Sequence, residues 1–192
     1  MSTAGQKFPA EPLTRAEVNA LLAACSTRAP TGIRNRALIT VMYRCGLRIT
    51  EALALKPSDA DLVNGTLRVL HGKGDKARTT GMDPRTVDAL ARWMDIRPRS
   101  CALFCTLEGA RMQTGYVRDM LKRKAARAGI EKRVHPHGLR HTHAAELVRE
   151  GVPMNVIRDQ LGHTSLATTD RYLRNVAPAD VIGMGRARTW EG

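Results

Sequence analysis

Residues 134–151 read VHPHGLRHTHAAELVREG. Four of the chain's six histidines fall here, at positions 135, 137, 141 and 143, with Arg140 among them. The spacing predicts an α-helix from near His137 to Glu150. The helical period then groups Ala144, Leu147 and Val148 on one inward face, and places His137, Arg140 and His141 on that same face. His143 falls on the flank, His135 precedes the helix, and Glu146 and Glu150 point outward. A guanidinium on an inward face is costly unless something anionic meets it. Three readings stand open: a metal site, a cluster of satisfied core histidines, or an oxyanion site at a helix N-terminus. His137 and His141 have a spacing that can hold a metal, but Arg140 would sit beside the cation, and the glutamate of an H-E-x-x-H helix is missing. The oxyanion reading fits best. Free N–H groups, the helix dipole, Arg140 and His137 all favour negative charge at the same place.

The whole chain has the charge to match. Thirty-one Lys and Arg stand against eighteen Asp and Glu in 192 residues, a formal net charge of +13. Nucleic acid is the default partner for so basic a chain. A solvated basic surface, a ribosome-associated protein or a membrane-surface protein are the blander alternatives. With 43% hydrophobic but only 4% aromatic residues, the core should be aliphatic. The length suits one domain, or one domain with a tail. No apolar run is long enough to span a membrane, and the opening MSTAGQKFPAEPLTR lacks the apolar segment of a signal peptide. Cys25, Cys45, Cys101 and Cys105 include no C-x-x-C pair and read as cytosolic thiols, mostly filling the core.

Outward from the opening stretch, the chain is mostly helical. LTRAEVNALLAAC opens a helix, with Thr14 and Glu17 at capping-box spacing and Val18, Leu21 and Leu22 as its apolar stripe. GIRNRALITVMYRCG is a second helix closed by Gly46, and ITEALALKP a third that stops before Pro57. VNGTLRVLHGKGDKARTTGM alternates polar with apolar and carries two turn signals, which predicts a small antiparallel sheet with a tight hairpin near residues 72–76. PRTVDALARWMDIRP returns to helix with Pro84 in its first turn. CALFCT is a short strand or an extended loop. TGYVRDMLKRKAARAG, PMNVIRDQLG and SLATTDRYLR are further helices. Between Arg111 and Arg140, nine Lys and Arg face only Asp119 and Glu131. Lys122, Arg123, Lys124, Arg127, Lys132 and Arg133 in this segment are candidate phosphate contacts, with a plain solvated face as the alternative.

Four motifs in order now carry a resemblance. His137 and Arg140 form H-x-x-R in HGLRH. His163 follows twenty-three residues after Arg140, in LGHTSLATTDRYL, and Tyr172 nine residues after that. Upstream, YRCGLRITEALAL holds Arg48 and Glu51, and the hairpin GKGDKAR lies between. This set resembles the tyrosine recombinases, or phage integrase family, over about residues 13–175. The resemblance implies an α+β, mostly helical catalytic domain with a small antiparallel β-sheet. It also implies cleavage and rejoining of double-stranded DNA through a 3′-phosphotyrosyl link, without metal or a high-energy cofactor.

Carried over residue by residue, Arg48 and Arg140 become a guanidinium clamp on the phosphate, and Tyr172 the nucleophile. Lys73 becomes the acid for the leaving 5′-oxygen, with Lys76 as the alternative. His137 manages the proton at the nucleophile, His163 orients the phosphate, and Glu51 and His141 support. Such residue types suit the chemistry: permanently charged planar guanidiniums hold non-bridging oxygens in fixed geometry, and a phosphotyrosyl ester conserves the energy of the broken bond. Residues 1–12 read as a linker or arm. Only about a dozen residues precede the catalytic region, so the chain is either a fragment or a minimal integrase. Residues 176–192, with Val181, Ile182 and Trp190, form a tail suited to exchange between protomers of a tetramer on DNA; docking on its own chain or disorder is the alternative. A bacterial cytoplasm, with action at the nucleoid and DNA-bending accessory factors, follows from the same resemblance. A type IB topoisomerase and a non-cutting DNA-binding relative are the competing functions.

Overall fold

A computed structural model describes residues 11–70 and 77–162. Its helices are α1 (Arg15–Ala23), α2 (Pro30–Arg44), α3 (Ile49–Ala54), α4 (Pro84–Ile96), α5 (Thr114–Arg127), α6 (Pro136–Arg149) and α7 (Met154–Leu161). Strands β1 (Ala60–Asp61), β2 (Thr66–Val69) and β3 (Arg78–Gly81) form an antiparallel sheet in that order, between α3 and α4. This is the expected mostly helical α+β class. The hairpin tip with Lys73 and Lys76, the segment with His163 and Tyr172, and the tail all lie outside the described residues. No described helix is long and apolar enough to cross a membrane.

Local chemistry sets the boundaries. At the start of α1 the Thr14 hydroxyl accepts from the Glu17 N–H at 3.1 Å, and the Glu17 carboxylate accepts from the Thr14 N–H at 2.7 Å. This is the predicted reciprocal cap. Asp83 caps α4 by accepting from the Thr86 N–H at 2.8 Å, and Pro84 follows in the first turn. Beyond α2, Gly46 turns the chain at φ +61°. Gly81 ends β3 opposite Thr66, and Val69 pairs with Arg78. CALFCT is a loop with one isolated bridge, Cys105 to Arg111. The buried Arg34 holds it by donating to the Cys105 carbonyl at 3.2 Å.

The core is aliphatic and centred on α2, whose Ala37, Leu38, Ile39, Val41 and Met42 are fully buried. That helix packs against α4 and α6. Trp93 closes the far side and donates its indole N–H to the Leu103 carbonyl at 2.8 Å. A smaller cluster, Ala144 with Ile157 and Leu161, joins α6 to α7, with Leu147 and Val148 beside it.

The single inward face assigned to the opening stretch needs correction. Helix α6 is covered by α2 on one side and by α7 on another, so Glu146 has no outward face to occupy. It is buried, accepts a hydrogen bond from the Tyr43 hydroxyl, and pairs with Arg44 at 3.4 Å. His143 is buried too and meets the side-chain amide of Gln160 at 3.2 Å. His137, expected inward, is exposed, because it stands in the first turn where the covered face opens out. Arg140 and His141 are buried as expected, and Glu150 is exposed.

Candidate active site

Three elements converge on Glu51, in the first turn of α3 and 1% exposed at its side chain. Its carboxylate accepts from the Arg48 backbone N–H at 2.8 Å and from Arg48 Nη1 at 2.7 Å. Arg78, reaching from β3, grips both oxygens, Nη1 to Oε1 at 3.1 Å and Nη2 to Oε2 at 2.8 Å. From α6, Arg140 Nη1 lies 3.7 Å from Oε2. Burial alone would raise the Glu51 carboxyl. The hydrogen bonds and charge of Arg78 and Arg48 outweigh burial and hold it below the ordinary range. One carboxylate among three guanidiniums leaves the cluster strongly positive.

Arg140 is 2% exposed yet does not rest on Glu51 alone. It donates to the Gly46 carbonyl at 2.7 Å and to the Leu161 carbonyl at the end of α7. The Nε of Arg78 donates to the neighbouring Gln160 carbonyl at 2.9 Å. Two guanidiniums therefore satisfy carbonyls that α7 would otherwise leave open, and complement the negative end of its dipole. Gly162 then closes α7 at φ +61°; a Cβ there would meet Arg78 Nη1 at 3.0 Å. The next residue in the chain is His163.

The N-terminus of α6 supplies the other wall. His135 caps it, its Nδ1 accepting from the Gly138 N–H at 3.2 Å. The His135 and His137 rings are stacked, with centroids 6.4 Å apart. Although His137 opens to solvent, crowding of its ring lowers its pKa, and the positive charges of His135, Arg140 and Arg48 lower it further. The shift favours the uncharged imidazole, the form that can accept a proton. His141, behind it, is also shifted down, chiefly by burial. An anion meeting this surface would find Arg48, which is 28% exposed, beside a helix N-terminus.

The profile described as the phage integrase family matches residues 11–177. The chain belongs to that family. It is 38% identical over 167 residues to the tyrosine recombinase XerD of Ralstonia nicotianae, covering 83% of this chain and 54% of that protein. The crystal structure of XerA recombinase superposes with a TM-score of 0.85 at 33% identity, covering 96% of this chain and 68% of that one. A post-cleavage complex of the XerH site-specific recombinase with a palindromic difH substrate superposes with a TM-score of 0.74 at 30% identity, covering 90% and 51%. The chain spans about half the length of the curated relatives it matches.

In this phage integrase family member, the described structure unites Arg48, Glu51, His137, Arg140 and His141. Lys73, His163 and Tyr172 lie outside the described residues. Of the basic residues picked as phosphate contacts, Lys122, Arg123, Arg127 and Arg133 are exposed. Lys132 instead pairs with Glu11 at 3.0 Å and Glu17 at 3.1 Å, and Lys124 donates to the Ala24 carbonyl at 2.8 Å. Both fasten the N-terminal segment and are poorer candidates for phosphate contact. Sequence reasoning passed over Arg78 and His135. Arg78 looks like ordinary strand charge until the register sets it against Glu51. The signal for His135 was its place just before Pro136, where a helix takes its cap.

Proposed function

We propose that this chain is the catalytic domain of a site-specific DNA recombinase that cuts and rejoins strands through a 3′-phosphotyrosyl intermediate. The observation that carries the reading is the positive cluster of Arg48 and Arg140 on Glu51, beside the N-terminus of α6 and His137. Permanently charged guanidiniums fixed in place suit a phosphodiester whose non-bridging oxygens gain charge under in-line attack.

In this reading, the oxygen of Tyr172 forms a bond to phosphorus as the bond from phosphorus to the 5′-oxygen breaks. The phenol proton passes to His137, and Lys73 supplies a proton to the departing oxygen. His163 orients the phosphate, Glu51 aims Arg48, and His141 supports His137. The ester conserves the energy for religation, so no ATP is consumed. Double-stranded DNA is the substrate, with Lys122, Arg123, Arg127 and Arg133 tracking the backbone. Residues 13–175 form the catalytic domain. Four protomers assemble on DNA, the 176–192 tail passing between them, with accessory proteins bending the site in a bacterial cytoplasm. The DNA complex of XerH and the identity with XerD support this assignment.

The test is covalent trapping. The protein is mixed with a duplex selected by binding from a randomised pool and nicked near its centre, and the products are run on a denaturing gel. A protein–DNA adduct that Tyr172→Phe cannot form is expected. No adduct from the unaltered chain, or one that persists in Tyr172→Phe, would overturn the mechanism. Relaxation of an arbitrary supercoiled plasmid without any selected sequence would favour a type IB topoisomerase instead.

A further inference from the structure

We infer that Arg78 is a positioning residue of the strand-cleavage site, which holds the Glu51 carboxylate in a fork so that Arg48 and Arg140 keep their charge for the phosphodiester. The inference rests on the recombinase reading above.

Arg78 itself faces the protein. Its side chain is only 10% exposed, and all three of its nitrogens have partners: Nη1 and Nη2 on Glu51, Nε on the Gln160 carbonyl. Arg48 differs, being 28% exposed and giving Glu51 a single side-chain nitrogen, Nη1. Arg48 is thus turned partly toward solvent, whereas Arg78 commits all three of its nitrogens to the protein.

Charge explains why the site needs it. With Arg78 in place, Glu51 is matched by a dedicated bidentate partner. Without it, the carboxylate is 2.7 Å from Arg48 and 3.7 Å from Arg140, with no other guanidinium among the described residues on it. In a buried, low-dielectric setting it would draw both toward itself and cancel charge that the transition state uses. Lysine cannot replace the fork, since one ammonium cannot span two oxygens in fixed geometry. Arg78 also ties β3 to the end of α7, so the same side chain aligns three elements of the site.

The experiment compares single-turnover adduct formation on the selected nicked duplex with equilibrium binding to the same duplex. Arg78→Gln is expected to slow cleavage about 100-fold, as loss of a charge-stabilising group does elsewhere, while binding changes by less than about threefold. Adding Glu51→Gln removes the unmatched charge and should restore about tenfold of the lost rate. Arg78→Lys, which retains the charge and serves if the glutamine variant does not fold, should fall between wild type and Arg78→Gln. A merely structural arginine would give a double variant no faster than the single one, which overturns the inference. So would a wild-type cleavage rate in Arg78→Gln or Arg78→Lys. If unaltered protein forms no adduct, the recombinase reading itself has failed. If it does and Arg78 proves dispensable, only this inference has.

Discussion

The guanidinium of Arg140 hangs on the backbone carbonyl of Gly46, at 2.7 Å, across ninety-four residues of sequence. Gly46 has a φ of +61°, and a Cβ built on it would meet His143 Cδ2 at 2.7 Å and Leu161 Cδ2 at 2.8 Å. The glycine therefore gives α6 and α7 the close approach that places Arg140. Gly46→Ala should destabilise the fold by about 2–4 kcal/mol, from the left-handed backbone and from overlap with two buried side chains. Urea unfolding measures it, and a wild-type midpoint would contradict the packing described.

A second prediction concerns acid. Burial lowers the pKa of His143 to about 4, with the charges of Arg44 and Arg140 adding to the effect. Below the ordinary histidine pKa, the unfolded chain takes up a proton that the folded chain refuses. Stability should therefore fall as pH drops from about 6.5 toward 4, by about 3 kcal/mol for this residue. His135, His137 and His141 are lowered as well and add smaller amounts of the same sign. His143→Phe should flatten the largest share of the slope in urea titrations across that range.

Cleavage should have its own pH dependence. An uncharged His137 accepts the proton in the proposed reaction, and its pKa lies below the ordinary imidazole value. The single-turnover rate should therefore hold through neutral pH and decline as pH falls below the ordinary histidine pKa. His137→Gln should be slow and should lose that acidic limb. A limb that survives the substitution would assign the proton to another group.

Salt separates the basic residues. Arg127 and Arg133 are exposed, so replacing either with Gln should weaken DNA binding and reduce the log–log salt slope by about one. Lys132, with Glu11 and Glu17 against it, should behave differently. Lys132→Ala should leave the slope alone and cost up to about 1 kcal/mol of stability, since these pairs are close to the surface. Equal slopes for all three variants would mean the basic face does not meet phosphate.

What the sequence revealed depended on the range of the interaction. Arg48 and Glu51 sit one turn apart, as do His137 and Arg140, so the short motifs that carry the family resemblance held both sets. The Thr14–Glu17 cap was legible because its partners lie three residues apart. Arg78 was not, because its partner lies twenty-seven residues away and the pairing depends on a sheet register that no local pattern states. Glu146 was misread because a helical wheel assumes one buried face, whereas α6 is covered by α2 and α7 together. An anionic ligand for Arg140 was expected, but its approach to Glu51 and its two carbonyl acceptors belong to tertiary geometry.

Those carbonyls make the end of α7 and the arginine cluster thermodynamically reciprocal. Whatever alters how firmly Arg78 and Arg140 hold Gln160 and Leu161 must alter, by the same free energy, how α7 responds to an anion at the arginines. Amide hydrogen exchange in the last turn of α7 is thus a reporter of occupancy at the arginines. It would register inorganic phosphate, vanadate or DNA before any bond is cut.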